Sequence, residues 1–187
     1  METQLSIKHA LNNFYQINNF GEEGGINQTW AWFKFGPVAL PFYNFKQRRE
    51  KVWMHDLNHL VTGYNTQWRG EVSVSAWEAA TGGWGFSPVW ILILSAFGIG
   101  IFIYPADIFR AFVRGRYTKG HVGLKLPKKQ LIEQDLSVLK QKLGLVNEPP
   151  HKANLSDVVA FTSYGIVSIA LILFPVWAGF LAWYFWQ

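Results

Sequence analysis

VVAFTSYGIVSIALILFPVWAGFLAWYFW, Val158 to Trp186, is 29 residues long and carries no charge. A helix crossing the hydrocarbon core of a bilayer needs about 20 apolar residues, so this segment is long enough to span. It ends on Trp183-Tyr184-Phe185-Trp186, amphipathic rings of the kind that settle at a lipid–water boundary. Pro175 removes a backbone donor and crowds the turn before it, which predicts a kink. A second uncharged run, Trp84 to Tyr104, is 21 residues long. Within it Ser87-Pro88 reads as a helix start and Pro105 as a stop, leaving about 17 helical residues, or roughly 25 Å. That is the bottom of the spanning range, so this run is expected to pack into one leaflet and return, leaving only the C-terminal segment to cross.

Composition agrees with a lipid setting. Half of the 187 residues are hydrophobic, ten are Trp, and the charged fraction of 16% lies well below the roughly 25% of soluble domains. The expected fold is all-α: a compact helical membrane-associated domain over residues 1–154, with an apolar helix at about 88–104, followed by a C-terminal transmembrane helix in 155–187 spanning about 158–186. Cysteine is absent, which excludes disulfides, thiolate–metal sites and thiol nucleophiles together. No basic segment followed by an apolar run opens the chain, so no signal peptide is expected from the first 25 residues. The net charge of +5 is not spread evenly: residues 1–83 hold seven Lys/Arg and seven Asp/Glu, whereas 105–157 hold ten against five. An excess beside apolar segments suits anionic lipid headgroups and argues against nucleic acid as a partner. Asp107 to Arg116 sets Ile108, Phe109 and Phe112 against Arg110, Arg114 and Arg116, the pattern of a helix lying in the membrane interface or of an ordinary amphipathic surface helix. Asp135 is placed to cap a short helix bearing Leu136, Leu139 and Leu143 and closed by Gly144, while Asn147-Glu148-Pro149-Pro150 reads as a linker.

The stretch Lys51-Val52-Trp53-Met54-His55-Asp56-Leu57-Asn58-His59-Leu60-Val61-Thr62-Gly63 contains no proline and ends on a glycine, which predicts a helix of about three turns. His55 and His59, four apart, share a face, and Asp56 lies about 100° round from His55. Two imidazoles and a carboxylate near one region are the minimum for holding a cation. Glu71 follows a polar, glycine-bearing turn, Gly63 to Gly70, that can fold the chain back to supply a fourth ligand. Glu78 is a spare candidate, although Ser75-x-x-Glu78 also fits a capping box that would start the next helix there. A satisfied histidine pair without a metal produces the same spacing. His9, His121 and His151 stand alone in polar surroundings and are expected to be solvated. No Gly-x-Ser-x-Gly elbow and no phosphate-cradling Gly-rich loop occur.

His55-Asp56-x-x-His59, eleven residues from Leu60 to Gly70, then Glu71, resembles the signature of the coenzyme Q biosynthesis protein 4 family. Gly63-Tyr64, Trp68-x-Gly70-Glu71, Ala76-Trp77-Glu78, Gly115-Arg116 and the leucines of 136–145 extend the likeness over roughly Gly36 to Val146. The resemblance implies a mostly helical fold, a divalent metal at His55, Asp56, His59 and Glu71, and a neighbouring place for a prenylated, quinone-type lipid. It also implies oxidative decarboxylation or hydroxylation of the ring, in the setting of ubiquinone biosynthesis, on the inner or cytoplasmic side. The donor set suits zinc or iron. The long apolar C-terminal helix departs from the short polar end of most members.

Two classes of function therefore stand side by side. One is an enzyme modifying a membrane-dissolved prenylated ring with the metal's help. The other is a non-catalytic accessory or quinone-binding subunit of a complex with other membrane proteins, suggested by the tryptophan-rich, two-segment build. A metal-dependent phosphohydrolase with a His-Asp dipeptide would need further His and Asp residues that are not suitably arranged.

Overall fold

The computed structural model describes residues 5–35, 38–85, 88–148 and 151–186. Among them are eight α-helices and one two-stranded sheet, so the fold is all-α. The helices are α1 (Ile7–Ile17), α2 (Lys46–Thr62), α3 (Trp68–Thr81), α4 (Val89–Ile103), α5 (Pro105–Tyr117), α6 (Lys128–Ile132), α7 (Leu136–Leu143) and α8 (Leu155–Trp186). Short 3-10 turns occupy Glu22–Gly25 and His121–Leu124. Strands β1 (Trp30–Phe35) and β2 (Val38–Tyr43) form an antiparallel hairpin, with Trp30 opposite Tyr43 and Trp32 opposite Pro41. The hairpin is absent from the expectations above.

The helix that organises the rest is α3. Gly70 and every residue from Val72 to Ala79, Ser73, Ser75 and Glu78 among them, are buried, which marks a helix surrounded by protein. Its Trp77 enters a core with Ile7, Leu11 and Tyr15 of α1, Trp53, Leu57 and Val61 of α2, Leu131 of α6 and Leu139 and Leu143 of α7. Its Val72, Ala76 and Ala79 enter a second core with Ile93 and Phe97 of α4 and Ile108, Ala111 and Phe112 of α5. Close approach to α5 needs Gly115, where a Cβ would stand 2.7 Å from the Trp77 carbonyl oxygen and from Ala80 Cβ.

Several local readings hold. Gly63 ends α2 in the left-handed conformation at φ 78°, and Asp135 caps α7 by accepting from the Ser137 amide, with Gly144 closing that helix. Leu139 and Leu143 are core. Others change. Helix α2 starts at Lys46 and has 17 residues, longer than the three turns expected. Helix α4 has 15 residues, about 22 Å of rise, with Pro88 as its N-cap; Ser87 lies outside the described residues, as do Pro149 and Pro150 of the linker. Pro105 stops α4 and also opens α5 at its first position, where a missing N–H costs nothing. The apolar face of α5 meets protein instead of a membrane interface: Ile108 and Phe112 are fully buried against α3 and α4, and Phe161 of α8 packs on Phe109 and Phe112 at 5.1 and 5.6 Å.

Helix α8 is long and apolar enough to cross a membrane and runs unbroken through Pro175. Its first half belongs to the body. Asp157 is 1% exposed, accepts from the Arg116 guanidinium at 3.1 Å and the Tyr117 hydroxyl at 3.0 Å, and ties α8 to the end of α5. Small residues seat it on α4: a Cβ at Gly98 would lie 2.6 Å from Ile172 and 3.1 Å from Ser168, and one at Gly165 3.2 Å from Ile101, the close backbone approach common between apolar helices. From Leu173 onward Phe174, Val176, Trp177, Phe180, Trp183 and Trp186 are exposed.

Elements on both sides of α4 share the Trp77 core, so α4 must begin and end on one side of any membrane that α8 enters. Single cysteines at the exposed Gln67 and Gln141, in a chain with no native Cys, should therefore react alike with an impermeant thiol reagent on intact and on opened cells. Opposite accessibility would restore a two-span hairpin.

Candidate metal centre

The elements that carry the sequence motif are adjacent. Helix α2 presents His55 and His59 one turn apart, and α3 returns after a tight loop with Glu71 in its first turn. The return needs Gly70, because a Cβ there would fall on the carbonyl oxygen of Asn65. The Asn65 side chain in turn accepts from the Gln67 amide at 3.1 Å. This loop explains Trp68-x-Gly70-Glu71 as a structural unit, and it corrects the capping-box reading: α3 starts at Trp68, so Ser75 and Glu78 lie inside it.

The loop brings three potential ligands together. One donor atom from each of His55, His59 and Glu71 lies within 4.8 Å of the others. His55 Nε2 is 3.2 Å from Glu71 Oε2 and 3.2 Å from His59 Nε2, which is 3.5 Å from Glu71 Oε1. The opposite ring nitrogens are already committed. His59 Nδ1–H donates to the Tyr64 carbonyl oxygen at 3.0 Å, an atom that can only accept. His55 Nδ1–H donates at 2.9 Å to Glu78 Oε1, which also receives the Asn58 amide at 2.7 Å. In the neutral rings both Nε2 atoms are therefore acceptors, and they face each other and a carboxylate with no donor between them. His59 is held there by Phe14, whose ring stacks on it at 5.9 Å. Its side chain is 1% exposed, whereas those of His55 and Glu71 are 25% and 35% exposed and form the open side.

Asp56, the fourth residue of the motif, lies beside this group and is not one of the three. Its carboxylate is buried against the Tyr15 hydroxyl, and a Cβ on Gly24 would lie 3.2 Å from its Oδ2. That Oδ2 has no hydrogen-bond partner, nor has Oε2 of Glu78. Three carboxylates thus surround two imidazoles, with the Arg48 charge acting on Asp56. A divalent cation would add positive charge where His55, His59 and Glu71 converge, so the residues fit a metal.

Without one, a proton fills the same need. Burial opposes charge on His55, but Glu78 and Glu71 outweigh it and hold its pKa well above the ordinary 6.5. Burial would raise Glu71, yet His55 and His59 bring it down to about 2. Asp56 goes the other way, pushed up to about 6 by burial against the resistance of His55 and His59.

Two histidines expected in solvent are elsewhere. His121 is 2% exposed and donates from Nδ1 to Asn58 Oδ1 at 2.8 Å, extending the buried chain from Glu78. His151 is half-buried and stacks on Tyr117 at 4.9 Å. His9 is exposed, as expected. Nothing local in Gly120-His121-Val122 signals burial; only the meeting of its 3-10 turn with α2 does so.

No family model matches this chain, and no curated protein or solved structure gives a significant match.

Burial keeps His121 neutral, lowering its pKa to about 4 despite the Glu78 charge. The unfolded chain takes up that proton near the ordinary 6.5, so this group's contribution to stability is full above pH 6.5. It is lost as the pH falls towards 4, by on the order of 3 kcal/mol. His121→Gln, whose amide can still donate to Asn58, should flatten that dependence. Urea unfolding of the metal-free wild type and variant between pH 7 and 4 reads the difference, and parallel curves would rule His121 out as its source.

Proposed function

We propose that this chain is a membrane-anchored metalloprotein that binds a prenylated, quinone-type lipid and modifies its ring at a centre held by His55, His59 and Glu71. The observation that carries this reading is the pair of Nε2 acceptors and the Glu71 carboxylate converging with their outer nitrogens locked. A second support is position. Val72, next to Glu71, meets the apolar α4, where a Cβ on Gly100 would lie 2.8 Å from Val72 Cβ. The centre thus adjoins the part of the molecule in which an isoprenoid would partition. The motif spacing resembles that of the coenzyme Q biosynthesis protein 4 family, and oxidative decarboxylation or hydroxylation is the reaction class that likeness suggests.

In this reading His59 and Phe14 form the closed wall, and the ring of the lipid enters from the side where His55 and Glu71 are exposed. A bound zinc ion would supply a Lewis acid there, and an iron ion redox chemistry as well. Asp56, whose pKa burial raises to about 6 and which is paired with Tyr15, is placed to hold or move a proton beside the ligands. The metal site lies on the inner or cytoplasmic face, where α8 holds the body against the membrane. The second reading, a non-catalytic quinone-binding or accessory subunit, is favoured by one feature: Trp30, Trp32 and Tyr43 of the hairpin are each more than half exposed, aromatic surface suited to a protein neighbour.

Metal content and bound lipid separate these outcomes. Protein purified in detergent and stripped of adventitious ions should retain about one divalent metal per chain, and His55→Ala, His59→Ala and Glu71→Gln should each lose it. Asp56→Asn should weaken binding less than Glu71→Gln. Mass spectrometry of the lipid extract should find a prenylated ring compound. Full metal content in both histidine variants would defeat the assignment of the site, and co-purification of stoichiometric membrane subunits without turnover would favour the accessory role.

A further inference from the structure

Glu78 is 0% exposed, yet no Lys or Arg pairs with it among the described residues; its one ionic partner is His55. It lies seven residues after Glu71 on α3, two turns on and about 20° round, so both carboxylates line one face about 10.5 Å apart in rise. The His55 ring fills the interval. Its Nε2 reaches Glu71 at 3.2 Å and its Nδ1 reaches Glu78 at 2.9 Å. Asn58, one turn after His55 on α2, donates to the same Glu78 oxygen at 2.7 Å and accepts from buried His121 at 2.8 Å. Thr62 fixes the turn by donating to the Asn58 carbonyl at 2.6 Å.

A fully buried carboxylate is costly, and an apolar side chain of similar volume would serve the packing of α3 better. What an apolar residue could not do is accept from His55 Nδ1. We propose that Glu78 is a positioning residue for the metal centre: through its hydrogen bond it fixes the His55 tautomer that presents Nε2, and its charge strengthens that nitrogen as a ligand. Asn58 and His121 hold Glu78 for the task. The arrangement is a carboxylate–histidine–metal relay, in which the outer carboxylate orients the ring and raises its basicity. The inference rests on the metal-binding reading above, and it assigns to a residue outside the four-residue motif a part in ligand affinity.

The test is Glu78→Gln in the full-length protein. Its amide oxygen can keep both hydrogen bonds, from His55 and from Asn58, so the substitution removes charge while retaining shape. Zinc affinity, measured by competition with a chelating dye, should fall by about 10- to 100-fold, the usual effect of losing an outer carboxylate. In proton NMR of the zinc-loaded protein the His55 Nδ1–H resonance should move upfield while that of His59, bonded to the Tyr64 carbonyl, stays in place. A residue that merely fills the core would leave zinc affinity unchanged and the His55 resonance unmoved, and that result overturns the proposal. If Glu78→Gln does not yield folded protein, Asn58→Ser, which loosens Glu78 without removing it, should weaken zinc at least about threefold; unchanged affinity there also overturns it. A wild-type chain that binds no zinc, iron or other divalent ion would remove the metal-binding reading itself and the proposal with it.

Discussion

Two lone pairs and a carboxylate that face one another in a protein need a positive charge or a hydrogen-bond donor among them. That constraint governs the centre of this molecule. The Tyr64 carbonyl and the Glu78 carboxylate each claim the N–H of one imidazole, so the choice of tautomer is made by the scaffold. Two kinds of element supply these partners: a loop that Gly70 lets close over the start of α3, and a helix buried on nearly every side. The packing of α3 between two cores is thus the mechanical basis of the site's electrostatics. If α3 shifted by a fraction of a turn, Glu71 and Glu78 would leave the His55 ring together.

The convergence of His55, His59 and Glu71 was legible because its geometry is local. Residues four apart on a helix must meet, and a glycine-bearing turn before Glu71 needs only to bring the next helix alongside. The role of Glu78 was harder to read because Ser75-x-x-Glu78 matches the beginning of a helix as well as its interior, and tertiary packing decided the matter by starting α3 at Trp68. His121 carried no local sign at all, since its burial follows from where a 3-10 turn meets α2. Asp56 shows a different limit. Helical spacing sets its Cα, but whether its carboxylate turns towards the histidines or towards Tyr15 depends on α1 and on the turn at Gly24.

The amphipathic pattern of α5 is plain in the sequence, but its apolar stripe is covered by other helices, which periodicity cannot distinguish from lipid. The hairpin has no clear signature in the sequence, because its run of aromatics has no strict alternation and Pro41 argues against a strand. The long helix was evident from length and charge alone. Its attachment was not, because small residues such as Gly98 and Gly165 announce close packing only once their partners are known.

That attachment gives α8 a meaning beyond anchorage. A body hung from a membrane by a loose tether samples many orientations and heights. Here the same continuous helix that carries the exposed aromatic half is fastened along its first half to α4 and α5. In a bilayer such a body would have few degrees of freedom left, and its open side would keep a nearly constant heading and depth. A lipid-borne molecule would then meet it by diffusion in two dimensions, and encounter would depend on surface density in the leaflet instead of concentration in the surrounding water.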